Sequence, residues 1–181
     1  MTDHQFIDEV KAVSQLTDKD QALLEEMQPA IERQAPNVVD AFYEHLESFE
    51  KLHKILHAEP GRVDRLKGHL KAWLVGLGAG SYGEDYFDER YRIGKTHVEV
   101  GLEPRYVIAA MAFCRGKAAE MIVEAEYAAD PQKDARIVAL NRVMDVDLNI
   151  MLQSYDDHRV KQFLEVTGFS EELFETLMAG E

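Results

Sequence analysis

Apolar residues recur every three or four positions along most of this chain, and this period constrains its fold more than any other feature. One series is Val63, Leu66, Leu70, Trp73 and Leu77, and another is Ile137, Leu140, Met144, Leu148, Met151 and Tyr155. Residues spaced in this way share one face of an α-helix. Strand-like alternation is nearly absent from the sequence, which therefore predicts an all-α fold.

Capping and turn residues divide the chain into helices. Thr17 is an N-cap candidate followed by acidic residues, and Pro36 is expected to precede a new helix. We predict helices near 3–13, from 17 to about 35, from 37 to 49, and over 51–57, 61–77, 84–100, 104–127 and from 131 to 155 or beyond. A short amphipathic stretch follows within 168–181.

Composition limits the classes of function that this chain can have. A chain of 181 residues is long enough for one sizeable core and too short for two ordinary domains. Its net charge of -14 argues against binding to nucleic acid or to anionic membranes, because both attract basic patches. No signal pattern or membrane-length apolar run occurs, so we expect a cytoplasmic protein.

The single cysteine, Cys114, excludes an internal disulfide framework and a cysteine-rich metal site. It lies among Ala110, Met111 and Phe113. A cysteine in such surroundings behaves as a small apolar residue. We interpret Cys114 as a buried core residue rather than a nucleophile.

The segment from Arg90 to Tyr106, with the sequence RYRIGKTHVEVGLEPRY, contains the most informative histidine. Gly101 suits the residue after a helix end, and a proline suits the first turn of the next helix. His97 shares a helix face with Ile93 and Val100, which directs the imidazole toward the core. The ring is either a satisfied core histidine or an axial ligand of a haem iron.

Within this segment, the run RIGKTHVEVGLEPRY is similar to the proximal-histidine segment of the globin-coupled sensors, the haem-based oxygen sensors of bacteria. Both have R-I-x-x-x-H followed by x-x-x-G-L, and the helix order from about residue 17 to 155 also resembles a sensor globin. The resemblance implies a globin fold, a three-over-three helical sandwich without a clear D helix. It divides the chain into an N-terminal extension (1–16), a globin domain (17–160) and a tail (161–181) leading toward a possible output domain.

The resemblance also implies a site for haem b, iron protoporphyrin IX. His97 would be the proximal ligand of the iron, and its second ring nitrogen would donate to a backbone carbonyl or to water. Tyr43 would donate a hydrogen bond to bound oxygen; the other interpretation is a core tyrosine with its hydroxyl at the surface. Leu66 would lie over the iron with Leu70 deeper. The other expected pocket residues are Phe42, Ile93 and Val100. Direct distal ligation by His69 is an alternative.

His53 and His57 stand four residues apart, a spacing that can place two imidazoles on one metal ion. No cysteine or carboxylate nearby in the sequence completes an obvious site. We therefore expect these histidines to lie on a solvated helix face.

The function implied by the resemblance is a haem-based oxygen sensor domain that is not itself an enzyme. Oxygen is the expected ligand, with carbon monoxide and nitric oxide as other candidates. The signal would pass through a homodimer formed by the two long C-terminal helices, either in a truncated sensor module or in a free-standing protein. The alternatives are a globin acting in oxygen and nitric oxide chemistry and a cofactor-free helical interaction module. No catalytic triad, paired-carboxylate cleft or phosphate loop indicates turnover.

Overall fold

The computed structural model describes residues 3–179, and all regular elements within this range are helices. They are α1 (Asp3–Val13), α2 (Asp18–Glu47), α3 (Glu50–Leu56), α4 (Arg62–Gly76), α5 (Glu84–Glu99), α6 (Pro104–Ala118), α7 (Lys133–Thr167) and α8 (Glu171–Ala179). The segment Ala119–Glu124 continues α6 as a π-helix. The all-α class predicted from the apolar period is confirmed.

The start of α2 confirms the cap predicted at Thr17. The Thr17 backbone N–H donates to the Asp20 carboxylate at 2.8 Å, and the Asp20 N–H donates to the Thr17 hydroxyl at 3.2 Å. This reciprocal pair is a capping box. Arg142 on α7 also donates to Asp20, at 2.9 Å. Burial raises the pKa of Asp20, but the Thr17 hydrogen bonds and Arg142 outweigh burial, so the net change is a lowered pKa.

The prediction of a new helix after Pro36 is wrong, because α2 runs unbroken through both Pro29 and Pro36. A proline inside a helix costs about 3 kcal/mol through its lost hydrogen bond and ring clash. Complete burial of a large apolar side chain contributes about 1.5–3 kcal/mol. Several such side chains flank the prolines and are fully buried: Leu24, Met27, Ile31 and Val38. Packing on both sides of the prolines therefore offsets their cost and keeps one helix.

The core lies where α2, α5 and α6 pack against the long helix α7. Much of the apolar circumference of α7 is thus covered within one chain. The helices α5 and α7 approach each other closely at Gly94, where a Cβ atom would lie 2.4 Å from the Ser154 hydroxyl and 2.7 Å from the Met151 carbonyl oxygen. Gly94 has no side chain, and this allows the two helices to approach so closely.

The break after α5 has the form predicted from glycine and proline. Gly101 adopts a left-handed backbone conformation with φ +70°, and Pro104 occupies the first turn of α6. Within residues 3–179, no helix combines the length and apolar character that crossing a membrane requires.

Candidate functional site

His97 lies in the last turn of α5 and is half-buried. Its Nδ1 atom is buried and has no hydrogen-bond partner within the described part of the chain. The expected donation from the ring to a backbone carbonyl is therefore absent from this geometry. Burial lowers the pKa of His97, which keeps the imidazole neutral at physiological pH. A neutral imidazole with an available nitrogen is the form that binds metal ions.

Two hydrogen bonds, both made by the backbone of Leu102, hold the chain that follows His97 in place. The Leu102 N–H donates to the His97 carbonyl at 2.9 Å, and the Tyr155 hydroxyl of α7 donates to the Leu102 carbonyl at 2.7 Å. The end of the His97 helix is thereby joined to the middle of α7.

Tyr43 lies near the C-terminal end of α2, with its ring 7% exposed and packed edge-on against Phe42 at 5.3 Å between ring centroids. Burial raises the pKa of Tyr43, and the neighbouring Cys114 on α6 raises it further. The hydroxyl is therefore protonated at physiological pH and able to donate a hydrogen bond. No residue within 3–179 accepts a hydrogen bond from it. A buried ring fits both interpretations of Tyr43, the distal donor and the core tyrosine with its hydroxyl at the surface.

The expected pocket leucines lie on α4, which packs against α2, whereas α5 packs against α7. Leu66, Leu70 and Ile93 are half-buried and pack on the edge of the core. Each of these side chains therefore leaves apolar surface that a flat apolar cofactor could contact.

Sequence reasoning did not anticipate the position of Val100, whereas His69 lies beside the apolar face of α4, as its place next to the Leu66–Leu70 stripe predicts. Val100 is 69% exposed at the end of α5, so the structure does not place it in the core, and its contact with a cofactor stays a prediction. His69 is exposed on α4, beside the half-buried leucines rather than among them. Phe42 is buried as expected, with its ring 5.8 Å from that of Phe113.

Two surface cavities lie away from His97. A cavity of about 340 Å³ at the start of α5 is lined mainly by polar residues of the segment 81–86, three turns before His97. The candidate site is therefore defined by its side chains.

A buried polar cluster centred on Asp147 fixes the helices that carry this site. The fully buried Asp147 carboxylate accepts hydrogen bonds from Trp73 Nε1 at 2.6 Å, from Arg90 Nε at 2.9 Å and from the Tyr86 hydroxyl. Trp73 belongs to α4, Tyr86 and Arg90 to α5, and Asp147 to α7. The cluster therefore joins the helix of Leu66 and the helix of His97 to α7.

The charges of this cluster balance each other. Complete burial raises the pKa of Asp147, whereas Arg90 and the donors on Tyr86 and Trp73 act to lower it. Three donors directed at two oxygens are the arrangement that suits an ionised carboxylate. Gly76 leaves space for the arginine, because a Cβ atom there would lie 2.4 Å from Arg90 Nη2.

Sequence reasoning placed Trp73 in the core but did not find its partners. Arg90 and Asp147 are separated by 57 residues and have no motif spacing. The only sequence signal was a charged residue within an apolar helical stripe, as at Asp147 between Met144 and Leu148. That signal indicates a buried charge and does not identify its partner.

Comparison with known proteins places this arrangement in a family. A family model described as Protoglobin matches residues 3–161. The chain is 29% identical over 167 residues to the heme-based aerotactic transducer HemAT of Halobacterium salinarum (strain ATCC 700922 / JCM 11081 / NRC-1). That alignment covers 87% of this chain and 34% of the relative, so the chain spans about a third of the relative's length. The globin domain of the Geobacter sulfurreducens globin-coupled sensor matches with a TM-score of 0.75 and 31% identity, covering 82% of this chain and 96% of that domain.

We expect Asp147→Asn to lower the free energy of unfolding by about 3–5 kcal/mol, because it leaves the buried Arg90 charge with only the exposed carboxylate of Glu89 as a partner. The matched control is Asp145→Asn, two residues earlier on α7, where the carboxylate pairs with Arg115 and its side chain is 48% exposed. A surface pair contributes about 0–1 kcal/mol, so this control should change little. Urea denaturation followed by circular dichroism measures both, and equal losses would contradict the assignment.

Proposed function

The chain belongs to the Protoglobin family, and on that basis we propose that it is a haem-based gas-sensor domain. The globin fold expected from the segment around His97 is confirmed by the structural match to a globin-coupled sensor. One observation carries the functional proposal. This observation is that His97, the proposed proximal ligand, is a neutral and half-buried imidazole whose Nδ1 has no partner among residues 3–179.

The residues present fit a haem group. His97 would hold the iron through an imidazole nitrogen, and the half-buried side chains of Leu66, Leu70 and Ile93 would contact the porphyrin faces. The bound haem b would supply reversible binding of diatomic gases, with oxygen as the proposed ligand and carbon monoxide and nitric oxide as further candidates. Val100 and Phe42 complete the proposed pocket. The Val100 side chain is exposed in this structure, and bound haem would cover it.

Tyr43 is the proposed distal donor. Its ring is held by Phe42 and by burial against α6, while its hydroxyl keeps its proton and has no acceptor within the described range. It can therefore donate a hydrogen bond to a gas ligand without first breaking one inside the protein. Oxygen accepts such a bond better than carbon monoxide, so Tyr43 would favour oxygen. Leu66 and Leu70 would restrict the entry of water on the same side.

The proposed signal leaves the site through the end of α5. A change in the position of His97 would act on Leu102 through their backbone hydrogen bond, and Leu102 is held to α7 by Tyr155. We propose that α6 and α7 form a homodimer interface that receives this change. Ile108 on α6 and Val138 on α7 are 47% and 43% exposed, which leaves apolar surface for a second copy.

Within this proposal the domain senses rather than catalyses. Its HemAT relative is a transducer, and two-thirds of that protein lies outside the region matched here. An output domain that receives the signal is therefore part of the proposal.

We expect Tyr43→Phe to speed the release of oxygen from the haem protein by roughly 5–150-fold, because one hydrogen bond in a dry pocket contributes about 1–3 kcal/mol. Haem content should stay unchanged. The control is Tyr127→Phe, whose hydroxyl donates only a long 3.4 Å bond to the Glu26 carbonyl, outside the proposed pocket. Stopped-flow displacement of oxygen measures both variants. Unchanged release from Tyr43→Phe would remove this residue from the mechanism.

We expect Ile108→Asp to convert the proposed dimer to a monomer, because each copy would bring a new charge into an apolar interface. The control is Ile55→Asp on α3, a residue of similar exposure (46%) outside α6 and α7. Sedimentation velocity gives the mass of each variant and of the unmodified chain. A monomeric unmodified chain, or an Ile108→Asp variant that stays dimeric, would contradict the proposed interface.

A further inference from the structure

Three side chains with metal-binding atoms meet at the corner between α2 and α3. Glu47 is the last residue of α2, His53 lies on α3, and His57 caps the end of α3. The Glu47 carboxylate contacts His53 Nδ1 through one oxygen and His57 Nε2 at 2.7 Å through the other. The two imidazole centroids are 4.5 Å apart. The expectation that no carboxylate completes this histidine pair is therefore wrong.

The backbone holds these groups in place without help from a ligand. The His53 N–H donates to the Phe49 carbonyl at 2.8 Å, and the His57 N–H donates to the His53 carbonyl at 3.0 Å. Leu56, next to His57, is 6% exposed and anchors α3 to the core. One donor atom from each of the three side chains lies within 4.8 Å of the other two. The donor set is thus brought together by the fold.

We propose that Glu47, His53 and His57 form a binding site for a divalent transition-metal ion. Two imidazole nitrogens and one carboxylate oxygen are a donor set that suits zinc and its neighbours, whereas magnesium and calcium prefer oxygen ligands alone. The metal ion would bind the lone pair of the nitrogen that faces the carboxylate on each ring, and a proton on that nitrogen would move to the other ring nitrogen or to solvent.

Solvent access and charge favour occupancy of this site. The side chains of His53 and His57 are 52% and 50% exposed and that of Glu47 is 33% exposed, so water can complete the coordination shell. The net charge of -14 attracts cations to the protein surface. Without a metal ion, the Glu47 carboxylate forms two surface contacts, one with His53 and one with His57, and surface contacts of this kind contribute little to stability.

Metal binding would stabilise the turn between α2 and α3, which follows Tyr43, the proposed gas-binding tyrosine. Glu47 lies one helical turn after Tyr43 on α2, and the ion would link that turn to α3. An ion that binds only the folded chain raises its stability by mass action. The metal site does not depend on haem binding by His97, because none of its three ligands belongs to the haem proposal.

The test is a calorimetric titration of the full chain with zinc chloride. We expect one zinc ion per chain in the unmodified protein and in the control His158→Gln, which removes a half-buried histidine on α7. In the double variant His53→Gln/His57→Gln, affinity should fall by more than about 100-fold, since even changes outside the ligand shell cost about 10–100-fold. Equal affinity in the double variant and the unmodified chain would overturn the proposal, as would the lack of a one-to-one site in the unmodified chain.

X-ray absorption at the zinc edge gives a second, independent readout. We expect imidazole scattering from two histidine ligands, with zinc–nitrogen distances of about 2.0–2.1 Å. The melting temperature should rise with zinc in the unmodified chain and in His158→Gln, but not in the double variant. A coordination shell made only of oxygen would assign the zinc to surface carboxylates and overturn the site.

Discussion

The buried pair of Asp147 and Arg90 is the interaction on which the rest of the structure depends. Moving two charges out of water costs several kcal/mol per ion, and only good geometry and further hydrogen bonds offset that cost. Here Trp73 and Tyr86 supply those bonds. The cluster fixes α4 and α5 relative to α7, although α4 and α5 have few close contacts with each other. It thereby sets the relative positions of the two helices that carry the candidate site.

The proposed functional residues lie two helical turns from this anchor. Leu66 precedes Trp73 by seven residues on α4, and His97 follows Arg90 by seven residues on α5. Spacings of seven keep each pair on one helix face. The proposed site is therefore built on rigid helices whose relative positions are set by buried hydrogen bonds, while Leu66 and His97 keep partial exposure.

Local signals predicted most of the helices, because caps, glycines and prolines act over a few residues. Thr17, Gly101 and Pro104 each took the expected position. The prediction at Pro36 failed because burial on either side of the proline outweighed its local cost. His97 and Tyr43 could be singled out from motif order, but the Asp147 cluster could not, since its members meet only after folding. Sequence reasoning also missed Glu47 as a partner of His53 and His57, because the turn between α2 and α3 brings its carboxylate to them only after folding.

The most direct test of the central claim, that His97 holds haem, is the visible spectrum of the purified chain after haem addition. It would be recorded reduced without oxygen, with oxygen, and again after oxygen is removed. We expect an intense Soret band that shifts reversibly with oxygen. The band should be lost in His97→Ala and retained in His69→Ala, because His69 is exposed. A chain that takes up no haem, or a His97→Ala variant with normal haem content, would contradict the proposal that His97 binds haem. His97 would then be a core residue of a helical protein without cofactor.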